Sequence, residues 1–352
     1  MKSIVVSFFT IMGIWVLLSF SGCCSDNTPD TNVVVPPSHA VPDTSDYTFV
    51  VTGDNRVDQG EIVGDTTTNT YQLNRMFMEV SEMKPLPKML IFNGDLVFGH
   101  TNDTGKLGNE LRIWIGLFNK SPLAKSGVKL IAFTGNHEVG PNGDANGGDE
   151  KEFVSIMGKY INGNNGPKPG TADSLQTDQS QLTYSFNLGS DHYVICNTDA
   201  AGRESRMPYH WLQQDLKQAR VGGARHIFVF GHKPAWCNYP ASDFGLDVNP
   251  ADRDSAWAIM ERYNAEVYFC SHQHYWDSIK HDAGKTWEII GGNAGADGSY
   301  YKAWKNPYFG YTVVRVYSKV DITSMGRYVD WKKYTAKSDS ATRVRAKFTI
   351  GY

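Results

Sequence analysis

Five short polar segments contain the side chains of this sequence best suited to metal-assisted chemistry. They are Gly53-Asp54-Asn55-Arg56, Gly94-Asp95, Gly135-Asn136-His137-Glu138, Gly231-His232 and Ser271-His272-Gln273-His274. Carboxylate, amide and imidazole donors with no thiolate among them suit Zn, Mn or Fe ions. A carboxylate shared between two such ions holds them about 3.5 to 4 Å apart, which is the layout of a dinuclear hydrolase.

Each segment directly follows an apolar run that reads as a strand: 47–52, 88–93, 128–134, 226–230 and 267–270, with a further strand at 193–197. Between them lie amphipathic stretches. Leu73, Met76, Phe77, Val80 and Met83 share one helical face, as do Leu111, Ile115 and Phe118. This alternation predicts an α/β body with covered sheets. In such sheets the carboxyl ends of the strands meet at one edge, so the five segments can converge there. The region 140–180 is rich in Gly, Asn and Asp around an expected helix at 150–161, and reads as a surface insertion. Beyond about residue 306, strand-like runs at 311–317 and 343–350 predict a sheet extension of the same domain, which covers 47–352.

Length and composition fit this reading. At 352 residues the chain suits about two domains, or one large α/β domain with additions. Hydrophobic residues at 41% can build a substantial core, and charged residues at 20% are too few for a disordered solvating chain. Lys and Arg number 34 against 37 Asp and Glu, a net charge of -3, so no basic excess points to nucleic acid.

The chain starts with Lys2, an uncharged apolar run over 4–20, and Phe20-Ser21-Gly22-Cys23. This resembles a bacterial lipoprotein signal, with residues 1–22 removed and Cys23 lipidated; ordinary cleavage or an uncleaved anchor are the alternatives. All three predict export, and the lipoprotein reading predicts a membrane anchor at the periplasmic or cell-surface side. Residues 23–46, rich in Pro, Asp, Thr and Ser, read as a disordered tether. Cys196 and Cys270 lie in apolar runs and read as buried thiols, whereas no paired spacing assigns Cys237.

From about residue 47 to 317 the five segments, in order, resemble the calcineurin-like metallophosphoesterase superfamily, which includes the purple acid phosphatases. The resemblance implies a four-layer αββα sandwich of two mixed sheets flanked by helices. It implies Asp95 as the bridging ligand, with Asn136, His232 and His272 on one metal and Asp54 and His274 on the other. His137 would stand beside the phosphate as proton donor or transition-state stabiliser, and Asn55 is expected near the substrate. Two metal ions, Mn, Fe or Zn, are implied, with a water activated by them attacking a phosphate monoester or diester.

One motif departs from the pattern. The superfamily's first motif is Asp-x-His, yet its third position here is Arg56; the Tyr that purple acid phosphatases use instead is replaced by Phe98. The first metal is then weaker and completed by water, or Arg56 performs part of its electrostatic work. His100 is a candidate extra ligand or substrate contact. Trp236 and Tyr275 are candidates to line the pocket, against ordinary aromatic packing, and Asp199 is a candidate to support the ligands. His39, His192, His210, His226 and His281 read as surface or packing histidines. Two alternatives remain: a non-catalytic surface lipoprotein that binds a phosphorylated glycan or partner, and a dinuclear hydrolase of a non-phosphate substrate.

Overall fold

All eight expected strands form, and period-two alternation along them builds three core layers. In the computed structural model, residues 46–57, 67–139, 147–237, 245–281, 284–297, 308–328 and 340–351 are described. Cys23, the tether up to residue 45 and the 140–146 part of the insertion lie outside them. In chain order the elements are β1 (Tyr47–Thr52), α1 (Thr70–Ser81), β2 (Met89–Asn93), α2 (Thr104–Lys120), α3 (Pro122–Lys125), β3 (Lys129–Phe133) and α4 (Gly148–Met157). Then follow β4 (Tyr184–Leu188), β5 (Asp191–Cys196), the short β6 (Asp199–Ala200) and β7 (Arg203–Glu204), α5 (Tyr209–Val221) and β8 (Ile227–Gly231). The last are α6 (Pro250–Arg262), β9 (Val267–Cys270), β10 (Trp276–Lys280), β11 (Trp287–Gly291), β12 (Tyr308–Val316), β13 (Val320–Tyr328) and β14 (Arg343–Ile350).

Two six-stranded mixed sheets result, ordered β14-β13-β12-β1-β2-β3 and β10-β11-β9-β8-β5-β4. β1, β2 and β3 run parallel in the first, as do β5, β8, β9 and β11 in the second. Phe49 and Val51 of β1, Ile91 of β2, Phe228 and Phe230 of β8 and Phe269 of β9 fill the layer between the sheets. Phe49 touches Tyr193, Phe228, Phe230 and Phe269 edge-on, with ring centroids 5.3–6.3 Å apart. The alternate residues Val50, Leu90 and Phe92 face outward onto Leu73, Phe77 and Trp114 of α1 and α2. On the far side Val194, Val229 and Tyr268 pack against Leu212 and Leu216 of α5 and Trp257 and Met260 of α6. Helices therefore cover both sheets, and the architecture is the four-layer αββα sandwich.

The two helices over the first sheet begin where the sequence supplies caps. The Asn69 side chain accepts the N–H of Gln72 at the start of α1, and Asp103 accepts that of Lys106 at the start of α2. The helix expected at 150–161 forms as α4 and the 3-10 turn Gly158–Tyr160. Its Phe153, Met157 and Tyr160 are buried in the outer core against α2, so this part of the expected surface insertion is a packed element. At the other end, β12 pairs antiparallel with β1, and β13 and β14 complete the first sheet. No helix among the described residues is long and apolar enough to cross a membrane.

Candidate metal centre

The parallel strands β1, β2 and β3 of one sheet and β8 and β9 of the other all point their carboxyl ends at one rim, and the polar segments start there. Backbone hydrogen bonds tie the loops together. Asp54 N–H donates to Gly94 O at 3.1 Å, Asn55 N–H to Asp95 O at 2.9 Å, and Ser271 N–H to His232 O at 2.8 Å. Asp54, Asp95 and His272 adopt left-handed backbone, with φ of 58°, 51° and 67°. Such conformations cost about 1–3 kcal/mol each and persist where the surroundings enforce them, commonly at functional sites. Gly94 and Gly135 let these loops approach: a Cβ on Gly94 would meet the Gly135 backbone and His232.

Two groups of three ligand atoms form at this rim, Asp95 with His232 and His272, and Asp54 with Asp95 and His274. Within each group the atoms lie within 4.8 Å of one another, and Asp95 belongs to both. Asn136 completes the first of these: its Oδ1 lies 2.9 Å from His272 Nδ1 and 3.1 Å from His232 Nε2. The rings are oriented by carbonyls behind them. His232 Nδ1 lies 2.8 Å from Asn93 O, and His274 Nδ1 bonds Asp297 O, which turns both Nε2 atoms inward.

These residues fit metal ions. Each carboxylate has one oxygen fixed by a backbone N–H: Asp54 Oδ2 accepts from His272 at 2.7 Å and Asp95 Oδ1 from His137 at 3.1 Å. The other oxygens, Asp54 Oδ1 and Asp95 Oδ2, are buried without a hydrogen bond, a costly state unless a cation takes them. The ionisation of the side chains reflects the same need. Burial raises Asp54 well above the ordinary carboxylate range, whereas Asp95 is held below it, against burial, mainly by His232. Burial works against a proton on His232 as well, yet the Asp95 and Asp54 carboxylates lift its pKa to about 10. The ring carries positive charge that a divalent ion would supply in its place.

His137 stands at the edge of both groups, with Nε2 3.9 Å from Asp95 Oδ2 and Nδ1 bonded to the carbonyl of Phe98. Burial lowers its pKa to about 3 despite the attraction of Asp95, so the ring is neutral. Phe98 thus contributes its backbone oxygen, and its side chain packs at 5.6 Å from the His137 ring. His100 is exposed and its ring lies tilted against that of His137, centroids 4.8 Å apart, outside both ligand groups. Arg56 reaches into the second group: its Nε is 3.4 Å from Asp95 Oδ2 and its Nη2 3.5 Å from His274 Nε2.

The remaining candidates fall elsewhere. Asn55, expected near the substrate, is fully buried; its amide donates to Asn69 O and Ala294 O and accepts from Thr68, so it stitches the first loop to α1 and the loop after β11. Trp236 packs on Trp257 and His281, and the Tyr275 hydroxyl is hydrogen-bonded to Gln273. Asp199 pairs with Lys233 at 2.6 Å, next to His232. Cys196 and Cys270 are buried free thiols. His192, His226 and His281 pair with Asp215, Glu266 and Glu288 away from the rim.

Two contributors were not assigned from the sequence. Glu138 receives the N–H groups of Asp95, Leu96, Val97 and Gly135 at 2.7–3.2 Å and locks the second and third loops together. The loop after β11 closes the site from the side: Gly53 N–H donates to Gly291 O, and Ala294 and Ala296 donate to Gly53 O and Asp54 O. Its sequence signal was the apolar run Trp287-Glu288-Ile289-Ile290 ending in Gly291-Gly292-Asn293-Ala294-Gly295, the same strand-to-glycine pattern as the other segments.

Comparison with known proteins places this geometry. The serine/threonine-protein phosphatase CPPED1 of Bos taurus is 25% identical over 167 residues, 44% of this chain and 42% of that protein. Purple acid phosphatase 15 of Arabidopsis thaliana is 23% identical over 152 residues, 43% of this chain and 25% of that protein. The matched stretches span less than half the length of both relatives. Among solved structures, the yellow lupin (Lupinus luteus) purple acid phosphatase PPD1 superposes with a TM-score of 0.57 at 13% identity, over 88% of this chain and 54% of that one. A dimetal phosphatase from Danio rerio gives 0.53 at 12% identity, over 87% and 99%. These two share the fold. The family profile described as calcineurin-like phosphoesterase matches residues 47–276, more than half of the sequence and all five ligand-bearing segments, and the chain belongs to that family.

Proposed function

We propose that this protein is a metal-dependent phosphoesterase that hydrolyses a phosphate monoester or diester at the Asp95 rim. The observation that carries the reading is the place of Asp95 in both ligand groups, with Asp54 Oδ1 buried beside it and without a hydrogen bond. The family implies a dinuclear site, and the phosphatase names of the two sequence relatives agree with a phosphate ester as substrate. Asp95, Asn136, His232 and His272 would hold one ion, and Asp54, Asp95 and His274 form the group for the other. Divalent ions supply an acidified water and neutralise charge on phosphoryl oxygens.

The chain's own residues do the rest. Asn93 O and Asp297 O fix the ligand rings, and the N–H groups of His137 and His272 fix the two carboxylates. With Nδ1 committed to Phe98 O, His137 presents only Nε2 to a phosphoryl group at the rim. A neutral ring there accepts a proton first; the negative charge of a bound phosphate raises its proton affinity and makes donation to a leaving group available. Arg56 adds a permanent positive charge suited to phosphate oxygens. Export and lipid anchoring at Cys23 belong to the same proposal and would place this chemistry on small phosphorylated compounds outside the cytoplasm. Loss of fatty-acid labelling in Cys23→Ser, with labelling kept in Cys24→Ser, is the outcome expected.

The deciding experiment offers purified protein p-nitrophenyl phosphate and bis-p-nitrophenyl phosphate with Mn, Zn or ferrous iron. Cation-dependent turnover of either ester supports the reading. Tight cation binding with no turnover of phosphate, sulfate or amide chromogens would favour a non-catalytic binding protein.

A further inference from the structure

The two ligand groups that share Asp95 are not equivalent, and Arg56 is the difference. In the Asp95, Asn136, His232 and His272 group the donor atoms converge on one another. In the Asp54, Asp95 and His274 group a guanidinium lies against two of the three ligand side chains, 3.4 Å from Asp95 Oδ2 and 3.5 Å from His274 Nε2. The His274 contact is chemically exclusive. Its Nδ1–H is given to Asp297 O, so Nε2 carries the ring's only lone pair and accepts from Arg56 Nη2. A metal ion at this group would need the same lone pair.

Charge adds to the competition. The guanidinium stays protonated in proteins, and in a largely buried site its repulsion of a divalent ion is screened less than it would be in water. The backbone keeps Arg56 in place: its N–H donates to Asp95 O at 3.2 Å, and it forms an isolated antiparallel bridge with Thr68. The position in the chain that would supply a fourth ligand therefore supplies a cation instead.

We propose that in this chain the Arg56 guanidinium takes the place of one of the two metal ions, so that a single divalent cation binds at Asp95, Asn136, His232 and His272. Arg56, held between Asp95 and His274, then provides the second positive charge and offers its planar fork to two oxygens of a phosphoryl group. This rests on the phosphoesterase reading and narrows it to a one-metal, one-arginine site.

The test is binding rather than turnover. Mn or Zn is titrated by calorimetry into metal-stripped wild type, Arg56→Gln and Arg56→His, with elemental analysis after gel filtration. Wild type is expected to hold one ion per chain and Arg56→His two, because a neutral imidazole donates a lone pair where the guanidinium blocked one. Inorganic phosphate should bind the one-ion wild type at least about tenfold more tightly than Arg56→Gln at equal metal content, the loss expected for a charged hydrogen bond. Two ions in wild type, with affinities matching those of Arg56→His, would overturn the proposal and leave the phosphoesterase reading standing. No ion in wild type would overturn both.

Discussion

Glu138 holds Asp95 by the backbone: its Oε2 accepts the Asp95 N–H at 2.9 Å, while its Oε1 accepts those of Leu96 and Val97. The same Oε2 takes the Gly135 N–H at 2.8 Å, so one carboxylate joins the loop that carries Asp95 to the loop that carries Asn136 and His137. Burial and the nearby Asp95 charge raise the Glu138 pKa to about 8, against the N–H groups that favour its ionised form. The left-handed backbone of Asp95 is thus enforced from a residue that touches no ligand atom position itself.

Replacing Glu138 by Gln should therefore weaken metal binding without removing a ligand. The amide keeps one acceptor oxygen and turns an NH₂ toward N–H donors that need a partner. Partners of this kind usually change metal affinity by about 10-fold to 100-fold, and the orphaned donors cost about 1–3 kcal/mol of stability. Calorimetric metal titration and urea denaturation check both; an unchanged affinity would show that the loops hold their shape without this carboxylate.

Asp95→Ala and His137→Ala should separate binding from chemistry. Removal of the shared ligand should abolish metal retention and hydrolysis together. His137→Ala keeps every ligand atom, so metal content should persist while turnover falls by roughly 10²-fold to 10⁴-fold, the range of a general acid-base group. Metal loss from His137→Ala would mean that the ring orders the ligands rather than meeting the substrate.

Much of this site was legible because its logic is local. Each ligand segment follows an apolar strand, and a parallel strand must deliver its carboxyl end to the same rim as its neighbours, so Asp54, Asp95, Asn136, His232, His272 and His274 could be gathered without knowing the sheet order. What was not legible depends on packing across the chain. Asn55 sits beside Asp54 in sequence, yet its side chain turns away to the carbonyls of Asn69 and Ala294, partners that only the folded chain brings to it. Strand β11 is hard to read from sequence because Glu288 interrupts its apolar run, and partners distant in the chain, Ala235 N–H and His281 among them, let that carboxylate be buried. The helical part of 147–180 reads as surface because the partners of its Phe153 and Tyr160 are distant in sequence: both join the outer core, and Tyr160 packs on Phe118 of α2.

His226 makes stability depend on pH away from the site. Its Nδ1 lies 2.9 Å from Glu266 Oε1 and its Nε2 2.7 Å from Tyr317 O, an arrangement in which both nitrogens donate and the ring is charged. Burial opposes that charge, but Glu266 and the Tyr317 carbonyl raise the pKa above the ordinary value of about 6.5. A raised pKa in the folded state contributes stability that is complete below about 6.5 and is lost as pH rises through the folded value. His226→Gln should then cost more stability at pH 5.5 than at pH 9, measured by chemical denaturation at both; equal costs would mean that the ring is neutral in the folded protein.

The last prediction uses two glycines of opposite surroundings. A Cβ on Gly135 would sit 2.6 Å from Asp95 N and 2.8 Å from His232 Cε1, and would also collide with Asp95 Oδ1. Asp95 N is backbone, and Asp95 Oδ1 and the His232 ring are buried and hydrogen-bonded, so Gly135→Ala must push the shared ligand or the His232 ring out of line. Overpacking of this kind costs about 1–3 kcal/mol, and the metal group should lose at least tenfold in affinity because its donors lie directly against the added methyl. Gly116, in the middle of α2, has nothing within 4 Å of its Cβ position. Gly116→Ala should stabilise the fold by about 0.4–1 kcal/mol, since alanine leaves the unfolded chain fewer conformations to lose, and it should leave metal affinity untouched. Far-UV circular dichroism, urea denaturation and metal titration on both variants make the comparison. Equal metal affinity in the two would show that the rim has slack that the close approach of Gly94, Gly135 and His232 does not suggest.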